Sequence, residues 1–247
     1  MEEKQSLSEQ LADCTFTHEY IKVIAPIMSN HAKIYLERIE ENIDFNQIGS
    51  DKEIKLKEIS KYFGLLQTIV TDLERVLMFL RFEKRNELKN IYPELESQEQ
   101  YYIYHFENYI IRVNTITDVL GKLGNSIYET GIPKCNGYNF KEEIKKIDAN
   151  VATIVEKLLK KTKEIKDRRH EKIHTGETKI NYLEGVAFWG DIHRIIKEEV
   201  DPLLEEYTDK KLLEAVDETE TEIRELIEIV KEFLEYSVPK FLEIAGR

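Results

Sequence analysis

Hydrophobic residues recur along the chain with the period of an α-helix in four segments. In each segment, apolar side chains are spaced three and four residues apart, which places them on one face of a helix. The four lines of apolar residues run through Phe63–Leu80, Tyr102–Leu123, Ile144–Ile165 and Leu212–Phe233. We therefore predict four helices whose apolar faces pack together as an up-down bundle.

Helix breakers and capping residues separate these periodic segments. Pro93 and the stretch 131–139 lie between them, and Asn139 is predicted to be a helix N-cap. Gly176 fits the position just after a helix end. We therefore expect His174 in the last turn of its helix.

Further helices are expected outside the bundle segments. One helix is predicted over about 18–43, and Pro26 should kink or divide it because proline lacks a backbone N–H. A short helix is predicted over about 182–200. The predicted fold class is all-α, with an N-terminal helical extension over 1–50 and a helical bundle over 51–247, which we expect to be one continuous unit.

Composition agrees with long helices, because glycine and proline number only ten and five among 247 residues. Cys14 and Cys135 lie far apart without a CxxC pair, so neither a disulfide framework nor a thiolate zinc site is predicted. The chain has no apolar run of about 18 residues and no signal-peptide pattern at its N-terminus. We expect a cytoplasmic protein without a membrane association.

Charge is unevenly distributed along the chain, whose net charge is -12. Such an acidic protein would repel nucleic acid at long range. However, residues 157–174 carry eight Lys or Arg against three acids, whereas residues 198–235 carry fifteen acids against four bases. A local basic segment therefore remains available for an anionic partner.

The basic segment contains the string His170-Glu171-Lys172-Ile173-His174, which matches the HExxH pattern of zinc hydrolases. Two histidines four residues apart share one helix face and can bind a metal, while the glutamate activates water. The neighbouring cations oppose metal binding, and Ile180 stands where the third histidine of a metzincin would be. A third ligand would have to come from His193, Glu198 or Glu199.

A second interpretation pairs Arg169 with His174 in the pattern Arg-x4-His, with His170 as a supporting polar residue. An arginine can hold a phosphodiester with two parallel hydrogen bonds, and a histidine can move a proton at neutral pH. These groups suffice for RNA cleavage without a metal, in which the 2′-hydroxyl attacks the adjacent phosphate. The predicted substrate is RNA, and no cofactor is required.

The pattern Arg169-His170-x3-His174 resembles the R-x4-6-H motif of the HEPN superfamily. That resemblance implies an all-α bundle with the motif near a helix end. It also implies a homodimer in which two motifs form one cleft, and a ribonuclease of a toxin-antitoxin, abortive-infection or CRISPR-linked defence system, with an antitoxin or defence-system protein as a partner. Gly176 occupies the place of the tyrosine found in one HEPN toxin subtype, so nucleotide transfer to that tyrosine is not implied.

Two arginines fit the spacing of the motif, because Arg168 gives the pattern Arg-x5-His. Arg169 extends the apolar line through Thr162 and Ile165, whereas Arg168 is turned about 100° away on a helix. We therefore assign Arg169 to the phosphate and give Arg168 a supporting role. The resemblance also suggests that Glu107 orients the arginine.

Other residues are candidates for binding RNA, since lysines attract phosphates and aromatic rings stack on bases. These candidates are Lys166, Lys172, Tyr101, Tyr104 and His105. Two explanations without catalysis are alternatives to the enzyme hypothesis. Cations favour a helix C-terminus for electrostatic reasons alone, and the chain could be a catalytically inert HEPN-like module that binds a protein or RNA.

Overall fold

The computed structural model describes residues 5–38, 44–81, 91, 95–173 and 202–247. These residues contain seven α-helices and no strand, which confirms the all-α fold class. The helices are α1 (Leu7–Ala12), α2 (Thr15–Glu37), α3 (Asp51–Leu80), α4 (Leu95–Tyr128), α5 (Gly137–Ile144), α6 (Ala149–Ile173) and α7 (Pro202–Ala245), and a short 3-10 helix spans Phe45–Gln47.

The predicted apolar lines form the buried faces of the four long helices. In α3 the whole line from Phe63 to Leu80 is buried, and in α4 only Phe106 of the predicted line is half-buried. The lines of α6 and α7 are buried at Val151, Ile154, Leu158, Thr162, Ile165, Val216, Thr219, Ile223, Leu226, Val230 and Phe233. Spacing alone therefore identified the core of these helices.

One predicted line spans two helices instead of one. The structure ends α5 at Ile144 and begins α6 at Ala149, and Ile147 between them is 60% exposed. The Asp148 carboxylate accepts hydrogen bonds from the backbone N–H groups of Asn150 and Val151, at 2.9 and 3.2 Å. A new helix therefore starts after Asp148 because its first N–H groups are capped there.

The predicted N-cap at Asn139 is wrong, because Asn136 caps α5. The Asn136 side chain accepts the N–H groups of Tyr138 and Asn139 at 2.9 and 3.0 Å, and the Asn139 side chain accepts the N–H of Asn136 at 2.7 Å. Asn139 is thus the third helical residue of a reciprocal capping box. Both side chains accept hydrogen bonds from backbone N–H groups, but Asn136 is the N-cap and Asn139 is the third helical residue.

The N-terminal helices differ from the prediction at their ends. Helix α2 is continuous through Pro26, so the proline does not divide it, and it begins and ends earlier than expected. Helix α1 was not predicted, although Ser6 and Glu9 form a capping box whose Ser-x-x-Glu spacing is visible in the sequence. The helix predicted over 182–200 lies outside the described residues.

The chain divides into two compact units, and each of the four long helices contributes to both. The first unit comprises Met1–Thr71, Thr115–Lys160 and Leu226–Arg247, and the second comprises Asp72–Asn114 and Lys161–Glu225. The predicted boundary between an extension and a bundle at residue 50 stays a prediction. Among the described residues, no helix combines the length and apolar character needed to cross a membrane.

Aromatic rings form much of the core of the first unit. The Phe16 ring lies 5.2 Å from that of Phe63 and 5.1 Å from that of Phe241, which joins α2, α3 and α7. Lys57 anchors the loop before α3, since its ammonium donates to the carbonyls of Phe45 and Ile48 at 2.6 Å each. The N-terminal helices therefore pack into the same core as the long ones.

In the second unit, acidic side chains of α7 contact α4, α6 and the residue that follows α3. These contacts are an ion pair of Glu220 with Arg81 directly after α3, a hydrogen bond of Glu222 with Tyr109 of α4, and an ion pair of Glu225 with Lys161 of α6. The acidic bias of α7 is therefore partly structural, because these carboxylates hold the neighbouring helices.

Candidate functional site

Helix α6 carries Arg169 of the Arg-x4-His motif near its C-terminal end, whereas the expected place of His174 in the last turn falls on a residue outside those described. Thr162 and Ile165 are buried, and the backbone stays helical through Ile173. Arg169 follows Ile165 by four positions of this helix and so shares its helical register, whereas the position of Arg168 is about 100° away. The side chains of Arg168, Arg169, His170 and Lys172, and the whole of His174, lie outside the described residues.

The lysines of α6 fall into two groups according to their contacts. Lys157 and Lys161 form ion pairs with α7, with Lys157 Nζ lying 2.9 Å from Glu232 Oε1 and Lys161 pairing with Glu225. Lys163 and Lys166 are exposed. An anion that approaches the second unit near the motif therefore meets the cations of this second group.

Three of the predicted RNA-binding residues meet in one cluster, together with a residue that the sequence did not single out. Phe79 of α3 stacks on His105 of α4, with ring centroids 4.8 Å apart and an interplanar angle of 22°. The rings of Tyr101 and Tyr104 meet His105 edge-on at 4.4 and 5.2 Å. We call these four residues the aromatic cluster.

Burial within the cluster sets the chemistry of its members. His105 is 8% exposed, and burial lowers the pKa of its imidazole, so it is neutral at pH 7 and unsuited to pairing with a phosphate. Tyr104 is 61% exposed, and the Tyr101 hydroxyl donates to the Phe79 carbonyl at 3.1 Å. The cluster therefore presents ring surfaces but no cation of its own.

The apolar period of α3 does not mark Phe79 as a site residue, because Phe79 lies off the apolar line of its helix. The line through Leu73, Leu77 and Leu80 leaves Phe79 on another face. An aromatic residue outside the buried register of a helix is the signal that could have identified it. The sequence predicts its partner His105 as a candidate because His105 lies in a helix rich in aromatic residues, together with Tyr101 and Tyr104.

Glu107 lies half-buried on α4, in the same unit as the motif end of α6. Its predicted contact with the motif arginine stays a prediction. The next basic residue of α4, Arg112, donates to Asn108 Oδ1 at 3.1 Å and lies 3.5 Å from Asp72. Arg112 is thus engaged within the unit, and it joins α4 to α3.

The zinc interpretation depends on side chains outside the described residues. These are His170, His174, and the alternatives His193, Glu198 and Glu199 for the third ligand. Within the residues that the structure describes, no three His, Cys, Asp or Glu side chains are grouped so as to hold a metal ion. The HExxH hypothesis therefore stays open.

A family model described as HEPN_Cthe2314-like HEPN matches residues 62–240, which is well over half of the chain. The chain belongs to the HEPN superfamily. For an HEPN domain, the family indicates a nuclease or RNA-related role, and HEPN domains often bind RNA and dimerise. Searches among curated proteins and among solved structures gave no match.

Proposed function

We propose that this HEPN protein is a metal-independent endoribonuclease in which Arg169 binds the scissile phosphate and His174 transfers protons. The observation that carries the proposal is the Arg-x4-His spacing in a chain of this superfamily. The helical register supports Arg169 over Arg168, because Arg169 continues the line through Thr162 and Ile165.

The reaction proposed here needs no cofactor. The 2′-hydroxyl of the RNA attacks the neighbouring phosphorus, and the bond to the 5′-oxygen of the next nucleotide breaks. His174 takes the proton from the 2′-hydroxyl or supplies one to the leaving oxygen, while Arg169 offsets the charge that grows on the phosphate. His170 and Glu107 support these two groups, and the products are a 2′,3′-cyclic phosphate and a 5′-hydroxyl.

We infer that the working form is a homodimer in which two motifs line one cleft. A single motif offers one His174 for proton transfer, whereas the cleavage step benefits from both a base and an acid. Two copies would supply two His174 side chains to one phosphodiester. A toxin-antitoxin or phage-defence setting, with a partner protein that restrains the nuclease, fits such an activity.

The test is cleavage of a mixed RNA substrate in excess EDTA by the wild type and by three variants, each first checked for folding by circular dichroism. Arg169→Ala and His174→Ala should lower the rate by about 100-fold or more, the order expected for loss of a group acting in proton transfer or charge stabilisation. Arg168→Ala is the matched comparison, because it removes an adjacent arginine with the same charge, and its supporting role predicts a much smaller loss of rate.

The pattern of activities separates the alternatives. If Arg168→Ala loses cleavage activity while Arg169→Ala keeps it, Arg168 and not Arg169 binds the phosphate. Activity that EDTA abolishes and zinc restores would replace the proposal by the HExxH hydrolase. An inactive wild type that still binds RNA or a protein would indicate the inert HEPN-like module.

A further inference from the structure

The aromatic cluster in the second unit combines a buried centre with exposed rings. His105 is almost fully buried at its centre, whereas Tyr104 is 61% and Phe79 37% exposed. Contiguous apolar patches mark interaction sites, whereas single exposed residues are ordinary on a protein surface. Phe79 and Tyr104 both pack against the His105 ring, so they form one patch across two helices and not two isolated rings.

The rings of this cluster are held in place by their neighbours. Phe79 stacks nearly parallel on His105, at 22°, and the Tyr101 hydroxyl donates to the Phe79 carbonyl, so α3 and α4 are tied together at this point. Tyr104 packs its ring edge-on against the same imidazole. Because these rings are already ordered, a ligand that stacks on them loses little conformational entropy of the protein.

Two exposed lysines supply local cations for a polyanion, in a unit whose ranges carry more acids than bases overall. Exposed Lys163 and Lys166 of α6 belong to the unit that contains the cluster. A nucleic-acid strand with unpaired bases offers both a phosphate backbone for lysines and π faces for aromatic rings. A duplex presents the phosphates but keeps its base faces stacked inside the helix.

We propose that Tyr104 and Phe79 form a stacking surface for unpaired nucleobases, so that the RNA bound by this protein is single-stranded at that point. This proposal rests on the proposed RNA-directed function and names its substrate class. His105 acts as a positioning residue, because it fixes the two rings from behind. Duplex RNA would gain only the lysine contacts.

The test measures binding of the full chain to labelled RNA by fluorescence anisotropy. The RNA is an unstructured 2′-O-methyl strand of about 12 nucleotides, long enough for one site of this kind, and the same strand in a duplex. It cannot be cleaved through its 2′-oxygen. The variants are Tyr104→Ala and Tyr104→Phe, and Tyr138→Ala is the matched control because Tyr138, in the first unit, is 62% exposed.

We expect Tyr104→Ala to weaken single-strand binding about five- to 100-fold, the loss of one stacked base. Tyr104→Phe keeps the ring and should bind within about twofold of the wild type, since a benzene ring also stacks. Tyr138→Ala and the duplex affinity of every variant should not change. Phe79→Ala should repeat the selective loss.

Three results would overturn the proposal. In one, Tyr104→Ala binds the single strand as tightly as the wild type does. In another, Tyr104→Ala loses the same amount of affinity for the single strand and for the duplex. The third is a change in the oligomeric mass of Tyr104→Ala, measured by light scattering, with unchanged RNA affinity, which would make the cluster an interface between copies. If Tyr104→Ala loses affinity for the single strand only, and the wild type cuts no RNA, the stacking surface is supported and only the proposed nuclease is overturned.

Discussion

Glu220 is the most enclosed carboxylate among the described residues that form ion pairs. It is 5% exposed, pairs with Arg81 directly after α3, and accepts a hydrogen bond from Arg224 Nε at 2.7 Å. Arg81 also reaches Asp217 at 3.1 Å. A buried carboxylate of this kind contributes to stability only while its cations are in place, since removal of one partner leaves the rest poorly solvated.

Replacing Glu220 by alanine should therefore lower the free energy of unfolding by about 1–3 kcal/mol, less than for a fully buried pair because Arg81 is half-exposed and can rehydrate. Urea unfolding monitored by circular dichroism measures the change. Glu228→Ala is the control, because Glu228 lies on the same helix, is largely exposed and pairs with Lys231 three residues further on. Equal stability of the two variants would contradict the structural role of Glu220.

Tyr128 provides a pH-dependent contribution to stability. Its hydroxyl lies 3.2 Å from Ser237 Oγ, and Ser237 donates its own proton to the Phe233 carbonyl at 2.8 Å, so Tyr128 is the donor. Burial raises the pKa of Tyr128 to about 12 from an ordinary value of 10.0. Below pH 10 the tyrosine is protonated in both the folded and the unfolded state, and its contribution is complete.

Between pH 10 and about 12 the unfolded tyrosine ionises while the folded one keeps its proton, so stability falls as the pH rises. The stability difference between the wild type and Tyr128→Phe should shrink by up to about 1.4 kcal/mol per pH unit in this window. Urea unfolding at several pH values measures it, with Tyr138→Phe at an exposed position as the control. Parallel curves for wild type and Tyr128→Phe would show that Tyr128 is not the group responsible.

At the scale of helices, α2 contains a proline in its interior. Pro26 is exposed, and it cannot donate the backbone hydrogen bond that the Lys22 carbonyl would otherwise accept. Pro26→Ala should restore that bond and raise the free energy of unfolding by about 1–3 kcal/mol. Pro239→Ala in α7 is the parallel case, since Pro239 is also exposed within a helix.

Thermal unfolding of the two proline variants measures this prediction, and both midpoints should rise. A lower midpoint for Pro26→Ala alone would mean that the proline ring makes contacts in the first unit that outweigh the missing hydrogen bond. Circular dichroism at 222 nm, the standard helix signal, should not decrease in either variant, because both substitutions favour the helix.

The long helices were predictable because their burial repeats every three or four residues over many turns. The line of α3 is buried throughout, as its spacing indicates. The starts of helices were not predictable from the apolar period, since capping decides where a helix begins. Asp148 starts α6 directly after Ile147, and the Ser6–Glu9 box starts α1, although neither changes the apolar period around it.

At the scale of the whole molecule, opposite charges are segregated between α6 and α7. Lys157 and Lys161 are paired with α7 carboxylates, whereas Lys163 and Lys166 are exposed on the basic helix. A chain with an overall charge of -12 thus still exposes cations on α6. RNA binding at that surface should depend strongly on salt, because counterions are released from the phosphates.

The double variant Lys163→Glu/Lys166→Glu should weaken RNA binding and flatten its dependence on salt. The slope of log affinity against log salt should change by about 0.7 for each lysine–phosphate interaction that the variant removes. Anisotropy titrations between about 50 and 200 mM salt measure both effects. Lys134→Glu/Lys145→Glu is the control, because it makes the same charge change at exposed positions of the first unit. Equal losses of RNA affinity in both variants would show that the net charge of the protein, and not the position of the lysines, causes the effect.

The motif itself was readable from the sequence, whereas its surroundings were not. Arg169 and His174 are five positions apart, so local spacing relates them. The aromatic cluster depends on Tyr101 meeting Phe79, 22 residues earlier on another helix. Contacts of that kind follow from how helices pack, and the apolar period of each single helix does not specify them.

Cleavage chemistry tests the central proposal most directly. The measurement compares one RNA strand with its 2′-O-methyl copy in excess EDTA, using the wild type and His174→Ala, and analyses the product ends by mass spectrometry. We predict that the wild type cuts only the RNA and leaves a 2′,3′-cyclic phosphate or its hydrolysis product, while His174→Ala is inactive. Cleavage of the 2′-O-methyl strand, an active His174→Ala, or an RNA left intact by the wild type would contradict the proposed nuclease.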